Sequence, residues 1–385
     1  MISRILFPVL FVILLSDLYF DQIYWKHHNF YKLWVRVLWW SPGLLMVVYT
    51  IYLGFLRNYI PDDMTVINTY MFLVGLIVIP KALAAILSSG GWAWKRLRHT
   101  RHNWGNYAAL FLCLWMWLVL IYGFTRGITN FKVRHVNVFF KDLPQSFDGY
   151  RIAQFSDAHL GTFDGWRYGV LQEAMDSLNT SNADLIVFNG DIQNAKPQEL
   201  HRFNQLMSGL RAKNGVVSVL GNHDYSKYTE EEPSVEARNR QATINTECQW
   251  GWRLLNNEHV TLYRGQDSIV IAGEQNYANP DSADFQKTMH GVADNAFVVL
   301  LQHDPKAWDD YIRPSNRIKL TLSGHTHGGQ ATLFGLHFIR AVYKQDYGLF
   351  EEDGQFLYVS SGIGALVPFR FGMPPEIAII TLHRK

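Results

Sequence analysis

Four long apolar runs fill the first third of the chain, at about residues 5–20, 33–56, 66–87 and 107–124. Each of the last three is long enough to cross a hydrocarbon layer about 30 Å thick as a helix. The first is shorter. The residues closing it, Leu18-Tyr19-Phe20-Asp21, lack the small side chains at which a signal sequence is removed, so it reads as a retained helix. Trp39, Trp40, Trp92, Trp94, Trp104 and Tyr122 stand near the ends of these runs, where amphipathic rings favour the membrane interface. Pro80 is expected to kink or interrupt the third helix. Lys81 beside it, and Asp17 in the first run, read as charges that snorkel outward or mark the end of a span.

From about residue 129 the periodicity changes. Residues 131–140 alternate apolar and polar, as a half-buried strand does. Apolar, largely β-branched runs at 150–155, 183–188, 215–220, 297–301 and 318–322 predict buried strands, and 356–360 and 376–382 predict strands that close the fold. Helical spacing occupies 165–178, 200–210 and 238–246, while 226–233 is charged and loop-like. Short runs at 252–255, 259–263 and 268–273 are assigned to a second sheet. The pattern predicts an α/β domain over residues 129–385, preceded by an all-α transmembrane region of about four helices over residues 1–128.

The predicted buried strands run into polar motifs. In chain order these are Asp157-Ala158-His159, Asn189-Gly190-Asp191, Gly221-Asn222-His223-Asp224, Gln302-His303-Asp304 and Gly324-His325-Thr326-His327-Gly328. Open α/β sheets bind ligands at the carboxyl ends of their strands. If the strands continued, Asp157 and His159 would face one side together, and so would His325 and His327. Asp-x-His has little specificity alone; the glycine-flanked His-x-His, whose glycines permit close packing, has much more. Asn222 can offer an amide oxygen to a hard cation, His223 can carry a proton near neutral pH, and Asp224 beside it could orient the ring. His259 and His290 have no partners at useful spacing and read as structural or exposed.

Together Asp157, His159, Asp191, Asn222, His303, His325 and His327 supply two carboxylates, four imidazoles and one amide oxygen, with no thiolate. That chemistry suits Mn²⁺, Fe or Zn²⁺ in hydrolytic use rather than a structural cysteine-type zinc. Seven donors exceed what one ion needs. They suit two ions about 3.5–4 Å apart that share a bridging carboxylate, clamp a phosphoryl group and activate a water.

Composition narrows the partners. A formal net charge of +2 over 385 residues lacks the basic excess of a nucleic-acid-binding surface, so no nucleic-acid partner is expected. Cys113 lies in an apolar run and Cys248 in the soluble part, so no disulfide is expected. With four spans, Lys26, Lys32, Lys95, Arg96, Arg98 and Arg101 stand on one side of the membrane, against Arg4, Arg57, Arg126, Lys132 and Arg134 on the other. Six against five leans toward an extracytoplasmic soluble domain; three spans would move it relative to the N-terminus. Oligomeric state is not encoded in any of these features.

The ordered motifs Asp-x-His, Gly-Asp, Gly-Asn-His-Asp, His and Gly-His-Thr-His resemble those of the calcineurin-like metallophosphoesterase superfamily, over about residues 145–385. Pro375-Glu376-Ile377 is similar to its bacterial, membrane-anchored branch, which implies a bacterial plasma membrane. The resemblance implies a four-layer fold, two packed β-sheets with helices outside. It implies one metal held by Asp157, His159, Asp191 and His327, and another by Asp191, Asn222, His303 and His325, with Asp191 bridging and Mn²⁺ the first candidate. His223 matches the family's catalytic histidine, with Asp224 as the partner that fixes its tautomer. The expected activity is hydrolysis of a phosphodiester, phosphomonoester or pyrophosphate. The helix-rich anchor makes a lipid-linked substrate the natural candidate, along the lines of enzymes that cleave nucleotide-activated acyl sugars in lipid A assembly. Two other readings compete: a nuclease of the same superfamily, and a membrane receptor or scaffold whose domain no longer hydrolyses.

Overall fold

The computed structural model describes residues 2–26, 32–55, 64–229, 231–278 and 280–385, with side chains from residue 6 onward. Leu56, the expected end of the second apolar run, lies outside the described residues, as do Arg57, Glu230 and the side chain of Arg4. The chain divides into two compact units, Met1–Phe124 and Thr125–Lys385.

The first unit is built from α1 (Ile2–Phe20), α2 (Leu33–Phe55), α3 (Met64–Leu73), α4 (Ile79–Arg98) and α5 (Trp104–Tyr122). Among the described residues, four stretches are long and apolar enough to cross a membrane: Leu6–Trp25, Leu33–Phe55, Met64–Arg98 and Trp104–Gly127. The third is longer than its apolar run suggests, and Pro80 does not interrupt it. A π-helical turn, Val74–Val78, joins α3 to α4 directly before the proline. A wide turn accommodates the pyrrolidine ring and the missing N–H without breaking the rod.

Lys81 and Asp17 do not snorkel. Lys81 Nζ lies 2.6 Å from Asp17 Oδ1, donates to the Trp39 carbonyl at 3.0 Å, and sits 4.5 Å from the centroid of the Trp39 ring. The side chains are 15% and 1% exposed. An unpaired charge among apolar helices is costly, and pairing inside the bundle removes that cost while tying α1 to α2 and α4. Gly43 on α2 makes room, since a Cβ there would lie 1.7 Å from Asp17 Oδ2. Lys81→Leu strands the carboxylate and is expected to lower the stability of the detergent-solubilised protein by about 3–5 kcal/mol. Replacing Asp17 with leucine as well should recover most of that loss. An unaltered unfolding midpoint in the single variant would show that the pair does not hold these helices together.

The second unit holds two six-stranded sheets. Its strands are β1 (Lys132–Phe140), β2 (Tyr150–Phe155), β3 (Leu185–Asn189), β4 (Val216–Val219), β5 (Arg253–Leu254), β6 (Glu258–Arg264), β7 (Asp267–Gly273), β8 (Val298–Leu301), β9 (Leu320–Ser323), β10 (Thr332–Leu333), β11 (Leu336–His337), β12 (Gly348–Glu352), β13 (Gln355–Val359) and β14 (Glu376–Arg384). The first sheet runs β1-β14-β2-β3-β4-β5 and the second β12-β13-β9-β8-β7-β6. β2, β3 and β4 are parallel, in the register Ile152↔Leu185 and Val187↔Val217; β7, β8, β9 and β13 are parallel as well.

Alternating side chains of these strands serve different layers. Leu185, Val187, Val217, Ile271, Val299, Leu301 and Leu322 pack between the sheets. Their neighbours Ile186 and Phe188 pack outward under α6 (Tyr168–Thr180), with Leu171, Met175 and Leu178. Val298, Leu300, Leu357 and Val359 pack on the far side against Trp308. Burial on both faces is why these strands read as continuous apolar runs. The four-layer α/β architecture expected from the resemblance is present.

Local expectations differ in several places. Residues 252–255 join the first sheet, β5 pairing with β4 through Val217↔Arg253, and not the second. The helix expected over 200–210 is mostly a 3₁₀ segment, Pro197–Phe203, followed by the one-turn α7 (Asn204–Met207). α8 begins at Pro233, inside the expected loop, because proline fits the first turn of a helix. β12 was not expected. It forms a hairpin with β13 around Asp353-Gly354, whose φ values of 54° and 74° suit the turn that matches strand twist.

Candidate metal centre

The carboxyl ends of β2, β3 and β4 in one sheet and of β8 and β9 in the other deliver all seven predicted ligand residues to one place. Backbone bonds lace the loops together: Asp157 N–H donates to Gly190 O (2.8 Å), His159 N–H to Asp191 O (3.0 Å), and Gly324 N–H to His303 O (3.1 Å). The strands do not continue through the motifs. Asp157, His159, Asp191, His325 and His327 have φ of 50°, 43°, 62°, 71° and 51°, so the paired residues share a site through left-handed turns and not through extended alternation. Such conformations cost about 1–3 kcal/mol each and persist where the surroundings demand them. Gly221 permits a close approach, since a Cβ there would lie 2.2 Å from Asp191 Oδ1.

Three groups of ligand atoms result, each with all its members within 4.8 Å of one another: Asp157, His159 and His327; His159, Asp191 and His223; and Asp191, His303 and His325. Asp191 Oδ1 accepts the backbone N–H of His223 at 2.8 Å. Its Oδ2 lies 3.2 Å from His303 Nε2 and 3.8 Å from His159 Nε2, between an imidazole of each outer group. Asn222 Nδ2 donates to Tyr228 Oη at 2.8 Å, which leaves Oδ1 against His303 Nε2 (3.1 Å) and His325 Nδ1 (2.8 Å). His303 Nδ1 donates to the Asn189 carbonyl at 2.6 Å, so Nε2 is the ring atom that faces inward. The other nitrogen of His325 meets Tyr343 Oη at 2.7 Å. Partners of this kind fix the ring orientation and tautomer of a metal ligand.

The polar balance fits divalent cations. His159 is fully buried with both ring nitrogens lacking a hydrogen-bond partner, and His327 Nδ1 lacks one as well. Buried nitrogens left unpaired are costly, and a cation that takes their lone pairs resolves the cost. Burial, with the His223 charge nearby, holds His159 down at about 3; burial and His303 hold His325 at about 4. Burial and His159 hold His327 well below its ordinary value. These rings therefore stay neutral near pH 7. Burial alone would raise Asp191, but the charges of His303 and His223 outweigh it and keep the carboxylate ionised. The cluster thus offers the neutral imidazoles of His159, His325 and His327 and the anionic oxygen of Asp191. Burial lowers His303, but the Asp191 charge outweighs it and raises that ring to about 10, so a cation taking its Nε2 displaces a proton. The donor set is that of Mn²⁺, Fe or Zn²⁺.

Asp224 does not orient the His223 ring. Its carboxylate accepts the backbone N–H groups of Asp191 (2.8 Å), Ile192 (2.9 Å), Gln193 (3.3 Å) and Gly221 (2.8 Å), which exhausts its geometry in clamping the two loops. Chain adjacency suggested the pairing, but the 3₁₀ turn Asn222–Tyr225 sends the side chain back into the protein. The Asn194 carbonyl takes that place: His223 Nδ1 donates to it at 2.6 Å. The half-buried ring stacks on Tyr228 at 4.4 Å, edge-on to His159 at 4.8 Å.

Four further residues support the site without a motif to mark them: Asn194, Tyr228, Tyr343 and Arg370. Arg370, fully buried, donates to the carbonyls of Ser361 (2.6 Å), Gly362 (3.3 Å), Gly364 (2.5 Å) and His327 (3.3 Å), holding the 361–364 loop against Asp157. An arginine among glycines and prolines was the one visible signal. His259 is structural, its Nδ1 bonded to Thr288 O at 2.8 Å, and His290 is exposed, both as expected.

Residues 150–329 match the calcineurin-like phosphoesterase family, and residues 3–128 match the transmembrane domain of probable calcineurin-like phosphoesterases. An uncharacterized metallophosphoesterase, YkuE, of Bacillus subtilis (strain 168) is 31% identical over 272 residues, covering 68% of this chain and 89% of that protein. A transmembrane protein with a metallophosphoesterase domain from Danio rerio is 28% identical over 293 residues, 73% of this chain and 64% of its own. The UDP-2,3-diacylglucosamine pyrophosphatase LpxG of Chlamydia trachomatis is 26% identical over 302 residues, 62% of this chain and 86% of its own. With four helices able to span a bilayer and a relative matched over nearly its whole length, the chain belongs to the calcineurin-like metallophosphoesterases, as an integral membrane, metal-dependent phosphoric ester hydrolase.

Proposed function

We propose that residues 129–385 form a two-metal phosphoesterase domain acting on a lipid-linked phosphodiester or pyrophosphate. Asp157, His159, Asp191 and His327 hold one cation and Asp191, Asn222, His303 and His325 the other, with Mn²⁺ the first candidate. The observation that carries this reading is Asp191 Oδ2, which stands between His159 and His303 while Oδ1 is tied to the loop. When bound, two such cations supply Lewis acidity to phosphoryl oxygens and make a water acidic enough to attack near neutral pH.

The chain's own residues supply the rest. The Asn194 carbonyl keeps a proton on Nδ1 of His223, so Nε2 faces the phosphate, and the imidazolium form of the ring carries there the second proton that passes to the leaving oxygen. Tyr228 holds both that ring and the Asn222 amide. The complete donor set favours an enzyme over a scaffold that has lost hydrolysis. A membrane-spanning unit on the same chain supports an amphiphilic substrate, as does a relative named for cleaving a diacylated nucleotide sugar. The lean of six Lys and Arg against five supports a hydrolase domain outside the cytoplasm, and the similarity to bacterial metallophosphoesterases supports a bacterial plasma membrane.

Purified full-length protein with Mn²⁺ should hydrolyse a nitrophenyl phosphodiester, and thorough chelation should abolish the activity until Mn²⁺ is restored. Hydrolysis that survives chelation would overturn the two-metal assignment. A lipid pyrophosphate turned over no faster than the soluble ester would overturn the lipid-linked assignment alone.

A further inference from the structure

A basic cavity of about 560 Å³ lies in the transmembrane unit where the π-helical extension of α1 (Asp21–Trp25), the last turns of α4 and the first turn of α5 meet. Lys95, Arg101, His102, Asn103, Tyr24 and Trp92 are among its walls, and among the described residues no carboxylate lines it. Among the described residues, the ion pairs that involve the spans, Arg36–Asp21 and Lys81–Asp17, use neither Lys95 nor Arg101. The cavity therefore has positive charge facing open space.

A set of side-chain hydrogen bonds fixes its shape. Tyr19 Oη and Tyr24 Oη both reach Ser88 Oγ, at 3.1 and 2.6 Å, and Tyr24 Oη donates to Asn106 Oδ1 at 2.9 Å. Asn103 Nδ2 donates to the Ser88 carbonyl at 3.0 Å. α4 and α5 cross in near contact, since a Cβ on Gly91 would lie 2.4 Å from Gly105 N. Small residues at a helix crossing let backbones approach in this way.

One turn deeper, an apolar groove of about 300 Å³ runs between α1 and α4, with Leu15 and Tyr19 on one wall and Ala82, Ala85 and Ser89 on the other. Ala82, Ala85, Ser89 and Trp92 are spaced three and four residues apart, so the face of α4 that lines the groove continues into the cavity. Tyr19 and Ile23 relate the groove and cavity on the α1 side in the same way. Trp92, Trp94 and Trp104 mark this level as the membrane interface.

We propose that this is a binding site for an anionic phospholipid, with the phosphate head between Lys95 and Arg101 and an acyl chain in the α1–α4 groove. A free phosphate would use the cations and leave the groove without purpose. The site is separate from the hydrolytic centre and does not depend on the substrate assigned to it.

The test titrates full-length protein in neutral-detergent micelles with phosphatidylglycerol, phosphatidylcholine or inorganic phosphate, and reads binding by native mass spectrometry. Phosphatidylglycerol should bind in preference to both others. Lys95→Gln with Arg101→Gln should weaken it by about 30-fold, two cations' worth of attraction to an anionic head. Arg96→Gln with Arg98→Gln, cations outside the cavity that stack on Trp92 and Trp94, should change it little. Ala85→Trp fills the groove, leaves every cation in place, and should weaken lipid but not phosphate binding. Equal binding of phosphatidylcholine, equal losses in both double variants, or phosphate binding as tightly as the lipid would each overturn the proposal.

Discussion

Asp191→Asn is expected to remove both cations together and to lower hydrolysis by about 10³-fold or more. The substitution keeps the size of the side chain and can keep the bond from His223 N–H to Oδ1, so the loop should stay folded. What changes is the position of Oδ2, where an amide N–H₂ would face His303 Nε2 at 3.2 Å and His159 Nε2 at 3.8 Å. A donor in that position cannot ligate, and it stands between the two outer groups of donors. Lewis acidity at a phosphoryl centre is worth several kcal/mol, and about 4 kcal/mol is about 10³-fold in rate. Elemental analysis of the purified variant checks this. His327→Ala gives the contrast, because it belongs to one outer group only and should deplete one cation preferentially. If Asp191→Asn lost one cation and kept the other, the carboxylate would not be a bridge.

What the sequence made legible follows from where the physics is local. Val187, Val299 and Leu322 are buried in sheets covered on both faces, so their strands had to be apolar throughout and could be read as such. The clustered residues could be read because each lies in the loop that follows such a strand. Their backbone could not. Nothing in Asp-x-His distinguishes an extended pair from two residues at φ 50° and 43°, because the loops that impose the turn come from elsewhere in the chain. The Asn194 carbonyl, which any residue could supply, replaced the neighbour Asp224 for the same reason. β5 went to the wrong sheet because two residues carry too little pattern to choose a partner. Lys81 was misread because its partner Asp17 lies 64 positions away, and a lone intramembrane lysine has no local feature that separates pairing from snorkelling.

His223→Ala is expected to keep both cations near full occupancy and to lower turnover by about 10²–10⁴-fold, the usual contribution of a positioned proton donor. The alternative is concrete. The ring lies with His159 and Asp191 in one group of ligand atoms within 4.8 Å, so it could itself bind a cation. Geometry favours the proton donor: Nδ1 is already committed to the Asn194 carbonyl, and the ring is half-buried against Tyr228 where His159 and His303 are sealed in. The two roles separate experimentally. A proton donor matters most when the leaving oxygen is strongly basic, so the loss should be larger for an alkyl phosphodiester than for a nitrophenyl one, whose leaving group departs without help. A lost ligand would slow both esters alike and would appear as missing metal. Equal losses with a cation gone would make His223 a ligand, and unchanged turnover would remove it from the chemistry altogether.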